Sequence, residues 1–298
     1  MKLLKLVLVV ALMLLVMPQA MAVDINVDGN IDDWGLSELK TGDWSNPSTW
    51  VPTKDGISFF VEDNQDPYNI DAINYNASYT GVHIYGNKTW QNTYREPLLV
   101  GNRAEPYGGE DGKFGEKYDI EAMYITENKS YLFVLIVFST GMLGDKPYEL
   151  ADLAMDFTPG GGYGYEYGVN LHRVGNEAGE KYGIYYISSD SGWSVPYTFY
   201  ENKPAEILDF SDKKGEAIVK YGALNKYDFG RNNWVVEIAI PKAAIGNPGL
   251  PDDPGQAIKK FWISEQCGND AGPSIPEFIT ILIPVGLILG TLYFLRRK

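Results

Sequence analysis

Between residues 23 and 274 the apolar positions do not recur at helical spacing. They fall in short runs divided by clusters of Gly, Pro, Asn and Asp, the pattern of strands and turns in a sandwich or barrel. Strands are expected over 57–61, 118–125, 131–138, 151–157, 163–171, 182–188, 234–240 and 260–266. The run 131–138 is apolar throughout, which predicts a central strand buried on both faces. Glu127-Asn128-Lys129-Ser130 reads as the hairpin connection into it, and Gly160-Gly161-Gly162 as a turn between two further strands. Two polar stretches, 39–58 and 68–115, exceed ordinary loops and are expected to hold insertions or additional strands. The fold class is therefore all-β, an antiparallel sandwich spanning 23–267.

Both ends of the chain break this pattern. Lys2 and Lys5 precede an unbroken apolar run over 6–17, Pro18 and Gln19 end it, and Ala20-Met21-Ala22 follows. A basic start, a short apolar stretch and a small-x-small site make a secretory signal peptide, with cleavage by signal peptidase expected after Ala22. Residues 279–295 form a second uncharged apolar run. As a helix it would span about 25 Å, close to a bilayer core. Pro284, Gly286 and Gly290 are tolerated there because the remaining backbone groups are satisfied internally. Arg296-Arg297-Lys298 comes directly after. Basic residues stay on the cytoplasmic side, so the body of the chain is expected outside, at the extracellular face of the membrane.

Pro276-Glu277-Phe278 stands immediately before this second run. Pro-Glu-Phe, an apolar helix and a basic cluster, in that order, resemble the PEF-CTERM sorting signals of archaeal surface proteins. The resemblance covers residues 276–298. It implies an archaeal source, recognition by an archaeosortase, and loss of the helix in exchange for a lipid, by the same logic as a GPI signal. Residues 268–275 are then a linker between sandwich and tail.

Composition narrows the function classes. Net charge is −14, and it grows more negative once the terminal basic clusters are set aside. Such a field repels nucleic acid and anionic lipid and attracts cations. The single cysteine, Cys267, permits no intrachain disulfide, so the fold must stand on its core or on bound metal. Cys267 is expected to be a buried thiol in the last strand. Tyr at 21, Trp at 7 and aromatic content of 13% suit residues packed in sheets.

Three segments carry a further resemblance. Asp28-Gly29-Asn30-Ile31-Asp32-Asp33-Trp34 lies near the start, the apolar strand 131–138 in the middle, and Trp234-Val235-Val236-Glu237-Ile238-Ala239-Ile240-Pro241 near the end. Together they resemble the family 9 carbohydrate-binding modules and their DOMON-like relatives, and Asp119 to Tyr124 with Cys267 to Asp270 resemble a variant of that sandwich found with sorting tails. The resemblance implies a jelly-roll-type β-sandwich and, in its sugar-binding members, two aromatic rings that clamp a glycan. Neither ring can be matched to a position in this chain.

Four sets of residues are candidates for chemistry. Strand alternation puts Asp119 and Glu121 on one face, and Asp152 and Asp156 on one face. These two stripes, on neighbouring strands, could converge on calcium, with Glu166 adding a ligand from the next strand; a solvated polar face is the other reading. No EF-hand loop is present. Trp44, Trp50, Trp90, Trp193 and Tyr197 sit in polar context and are candidates for glycan stacking, or else pack beneath long loops. Asn76, Asn87 and Asn128 begin N-glycosylation triplets. Catalysis has little support: His83 and His172 are unconnected, and Cys267 has no activating pattern. The expectation is a non-enzymatic surface protein, structural or ligand-binding, in contact with the membrane, an envelope protein or a glycan. A glycan-binding module is the alternative, and a surface hydrolase a weaker one.

Overall fold

A computed structural model describes residues 24–42, 47–61, 82–87, 90–97, 120–139, 150–158, 160–171, 181–195, 203–228, 231–252, 254–264 and 271–272. It is mostly β, built on two antiparallel sheets. The first comprises β1 (Ser58–Val61), β2 (Val82–Asn87), β3 (Trp90–Pro97), β4 (Ile120–Glu127), β5 (Tyr131–Phe138), β10 (Ile218–Asp228) and β11 (Arg231–Pro241), in the order β10-β11-β5-β4-β1-β2-β3. The second comprises β6 (Leu153–Met155), β7 (Tyr167–Val169), β8 (Gly183–Tyr186), β9 (Lys213–Glu216), β12 (Phe261–Ser264) and β13 (Ala271–Gly272), in the order β13-β12-β6-β7-β8-β9. Helical segments among the described residues are single turns, such as Glu38–Thr41 and Pro254–Ile258.

The two sheets face each other across one apolar core. Leu132, Val134, Ile136 and Phe138 of β5 and Val236, Ile238 and Ile240 of β11 meet Leu153, Met155, Val169, Ile184, Phe261 and Ile263 of the second sheet. The opposite face of the seven-stranded sheet is also covered. Phe133, Leu135 and Val137 of β5 pack beneath Ile31, Trp34, Leu36, Leu39, Trp50 and Ile57, which belong to the N-terminal segment 24–57. The strand 131–138 is therefore buried on both faces, as its unbroken apolar run requires. A third cluster, around Tyr165, Tyr185, Trp193, Ile207 and Trp262, fills the outer face of the second sheet.

Among its described residues the polar stretch 39–58 holds no strand before Ser58; Leu39, Trp50 and Ile57 turn inward to make part of the N-terminal layer. The stretch 68–115 contributes the additional strands β2 and β3. Strand β13 pairs Ala271 with Ser264 and Gly272 with Ile263, so the sheet extends past 267 into what the sequence suggested was linker. Among the described residues no helix is long and apolar enough to cross a membrane. Residues 279–295, the signal peptide with Ala20 and Ala22, and Pro276, Glu277 and Phe278 lie outside the described residues, as does Cys267.

Candidate functional site: a carboxylate clasp and its surroundings

Glu237 sits in the middle of β11, between Val235 and Ala239 on the face that meets the N-terminal layer. Its residue exposure is 0%. A lone carboxylate there would be strongly disfavoured without partners. It has three. Its Oε2 accepts the main-chain N–H of Asp28 at 2.9 Å and of Gly29 at 2.5 Å, and its Oε1 accepts the indole N–H of Trp34 at 2.7 Å. Two of the three resembling segments thus meet through one side chain. Gly29 adopts φ +87°, a region open to glycine, and a Cβ on Gly222 of β10 would collide with the Gly29 carbonyl. The closest approach of loop to sheet therefore needs glycine on both sides.

Around this clasp the short Asp and Asn side chains hold their own loop. Asp28 Oδ1 accepts the Asn30 N–H at 2.9 Å, and Lys40 Nζ donates to Asn30 Oδ1 at 2.6 Å and to Asp32 Oδ1 at 2.8 Å. Asp33 accepts the Asn26 N–H through Oδ2 at 2.6 Å, while its Oδ1 is enclosed with no hydrogen bond to a described residue. Burial raises the pKa values of both Glu237 and Asp33; the charge of Asp33 adds to the upward push on Glu237, and the three donors oppose it. Lys40 holds the pKa of exposed Asp32 below its ordinary value.

The acidic stripes do not converge as the sequence suggested. Glu121 belongs to β4 in the seven-stranded sheet, whereas Asp152 and Asp156 flank β6 and Glu166 precedes β7 in the other sheet. A register shift between Ile120 and Ala122 also interrupts the expected alternation, so that Ile120 and Met123 both join the inter-sheet core. Asp119 lies outside the described residues. Asp152 and Asp156 stand at the two ends of β6, and each is engaged by its surroundings. Asp152 accepts the N–H groups of Leu171 at 2.7 Å and Ile207 at 2.8 Å. Asp156 lies 3.6 Å from Lys260 Nζ. Glu166 accepts the N–H groups of Phe157 at 2.7 Å and Thr158 at 2.6 Å through Oε1; burial raises its pKa, and its enclosed Oε2 has no described partner. Among the described residues no group of three or more His, Cys, Asp or Glu is placed to hold a metal ion. Asp152 and Glu166 fasten neighbouring segments through these main-chain contacts.

Two of the five candidate stacking rings are core residues. Trp50 is 0% exposed and packs in the N-terminal layer, where its carbonyl accepts the Tyr124 hydroxyl at 3.0 Å. Trp193 is 2% exposed, lies over Gly168 and Ile207, and donates its indole N–H to the Tyr165 carbonyl at 3.1 Å. Neither presents a face to a sugar. Their polar sequence neighbours conceal this because both rings tuck beneath loops rather than strands. For Trp90 only the strand position in β3 is described, and Trp44 and Tyr197 lie outside the described residues. Of the glycosylation triplets, Asn128 opens the turn between β4 and β5, Asn87 ends β2, and Asn76 lies outside the described residues.

Glu237 is the residue that sequence reading passed over as a functional anchor. Its signal was present: one acid in an otherwise apolar strand whose alternation turns it inward. Fold and site together define a two-sheet antiparallel β protein whose N-terminal segment is clasped to an inner strand by a buried carboxylate. No protein-family model, no curated protein and no solved structure matches the chain.

Proposed function

We propose that the chain is an exported, non-catalytic β-sandwich held at the outer face of an archaeal cell membrane as a structural or ligand-binding component of the envelope. In this reading the fold is of the jelly-roll, carbohydrate-binding-module-like type, followed by a C-terminal helix that signals sorting. Signal peptidase and an archaeosortase are its processing partners. The observation that carries the reading is the position of β13. That strand ends at Gly272 on the edge of the second sheet, and only six residues separate it from Ile279, where the apolar run begins. Fully extended, that stretch reaches at most about 25 Å. A helix or lipid at this point would hold the sandwich directly against the bilayer, a geometry suited to a fixed surface element. Burial of Trp50 and Trp193 withdraws two of the five candidate rings from a glycan ligand, which favours the structural role.

Protein recovered from its own host should be digested when intact cells are treated with protease, and its mass should correspond to a chain beginning at Val23 and lacking the apolar tail. A chain shielded on intact cells would refute the surface location. A native C-terminus at Lys298 would refute sorting and leave a plain membrane anchor.

A further inference from the structure

Two hairpins of the seven-stranded sheet carry the same four-residue pattern. One reads Asn87-Lys88-Thr89-Trp90 and the other Asn128-Lys129-Ser130-Tyr131. In both, the Asn faces the aromatic residue across the turn: Asn87 is the register partner of Trp90, and the Asn128 N–H donates to the Tyr131 carbonyl at 2.9 Å. Strands β2 and β4 each run antiparallel to β1, which lies between them, so they point the same way and turn back at the same end of the sheet. Gly86 and Tyr124 both pair with Phe59. Asn87 is therefore about three residues short of the level of Asn128, two strands away. At about 4.8 Å per strand and 3.3 Å per residue the two positions are about 14 Å apart.

The Asn128 side chain has a local job. Its Oδ1 accepts the main-chain N–H groups of Ser130 at 2.8 Å and Tyr131 at 2.9 Å, an Asx turn that closes the hairpin. That job uses the oxygen alone. The amide nitrogen makes no hydrogen bond to any described residue, and Lys129 and Ser130 beside it are exposed. It also uses only the main chain of Ser130, whose carbonyl accepts from Lys242 N–H at 2.8 Å. Turn formation thus accounts for Asn128 and leaves the Ser130 hydroxyl without a structural reason; the second hairpin repeats the Asn-Lys-hydroxyl order in its sequence. A glycan-transfer signal requires that hydroxyl.

We propose that Asn128 and Asn87 are paired N-glycan attachment sites at one end of the seven-stranded sheet. The donor class is a sugar chain carried on a lipid phosphate. The asparagine nitrogen displaces the lipid phosphate from the anomeric carbon: the N–C bond forms as the C–O bond breaks, the phosphate leaves with the electron pair, and the amide proton passes to a carboxylate base of the transferase. The modification rests on the surface location proposed above, because the transfer takes place outside the membrane.

The test combines protease treatment of intact host cells with mass spectrometry of the peptides bearing Asn87 and Asn128. The expected result is a digested chain with a glycan mass on both peptides. Ser130→Ala should remove the mass from Asn128 and leave Asn87 modified, whereas Ser130→Thr should keep both. Because the turn uses only main-chain atoms of residue 130, the Ser130→Ala protein should melt as the wild type does when both are made without glycans. A digested chain with bare Asn128 would overturn the glycan assignment while leaving the surface reading intact. A chain protected on intact cells would overturn the surface reading itself. A mass retained on Asn128 in Ser130→Ala would show a modification of another kind and also overturn the proposal.

Discussion

The indole nitrogen of Trp34 lies 2.7 Å from the carboxylate of Glu237, joining residues 203 positions apart in the chain. The contact decides how the N-terminal segment is held, because the same carboxylate also binds the main chain at Asp28 and Gly29.

Truncating Glu237 to Ala should destabilise the fold by about 2 kcal/mol, since the buried Trp34 indole N–H and two part-buried main-chain donors lose their acceptor and an unsatisfied buried group costs about 1–3 kcal/mol. Glu237→Gln keeps one oxygen acceptor and should cost less. Trp34→Phe removes a single donor and should fall between wild type and Glu237→Ala. Urea unfolding of the three variants ranks them directly. Hydrogen exchange should quicken first over residues 24–40, and a Glu237→Ala protein within about 0.5 kcal/mol of wild type would show that the clasp contributes nothing.

The pH dependence has a definite sign. Burial raises Glu237 and Glu166 above 4.5, and Asp33 above 3.8. The folded state therefore holds these protons more tightly than the unfolded chain, and stability is lost as pH rises through the raised values. Asp32 and Asp209 are lowered and act in the opposite sense, but only in more acidic solution than this window. The melting temperature should thus be higher at pH 5 than at pH 7.5, each 1 kcal/mol amounting to roughly 2–4 °C for a domain of this size. Glu166→Gln and Asp33→Asn should each flatten the profile. A transition that rises steadily from pH 5 to pH 7.5 would contradict the assignment.

Trp193 is expected to act as a packing residue. Trp193→Ala should cost about 3–5 kcal/mol in chemical denaturation, the range for emptying a large buried site, and Trp193→Phe should cost less. An unchanged midpoint, together with a lost affinity for any polysaccharide, would return Trp193 to the role of a stacking platform.

Four strands of the seven-stranded sheet, β1, β4, β5 and β11, were legible in the sequence. The run 131–138 announced a strand buried on both sides, and it is found between β11 and β4 with core on each face. The hairpin through Asn128 followed from its turn residues. Strands β9 and β10 were not anticipated, because Lys213-Lys214-Gly215-Glu216 is polar at a sheet edge and β10 mixes Lys220, Gly222 and Asn225 among its apolar positions. The candidate sites were harder to read. Periodicity carries no information about which sheet a strand joins, and so could not separate Asp152 and Asp156 from Glu121. Nor can sequence distinguish a tryptophan in a polar loop that folds inward, as Trp50 and Trp193 do, from one that faces water. The clasp depended on pairing between segments at opposite ends of the chain, which local pattern cannot supply.

Ala217 alone stands between β9 of one sheet and β10 of the other, and its N–H is spent on the Tyr182 carbonyl at 2.9 Å. The chain changes sheets there with no slack. Neither sheet can swing away from its partner without tearing main-chain pairing at this junction, so breathing of the inter-sheet core is coupled to rupture of the ladders themselves. The body should open as a single cooperative unit, with slowly exchanging amides in β5 and in β7 sharing one rate of release.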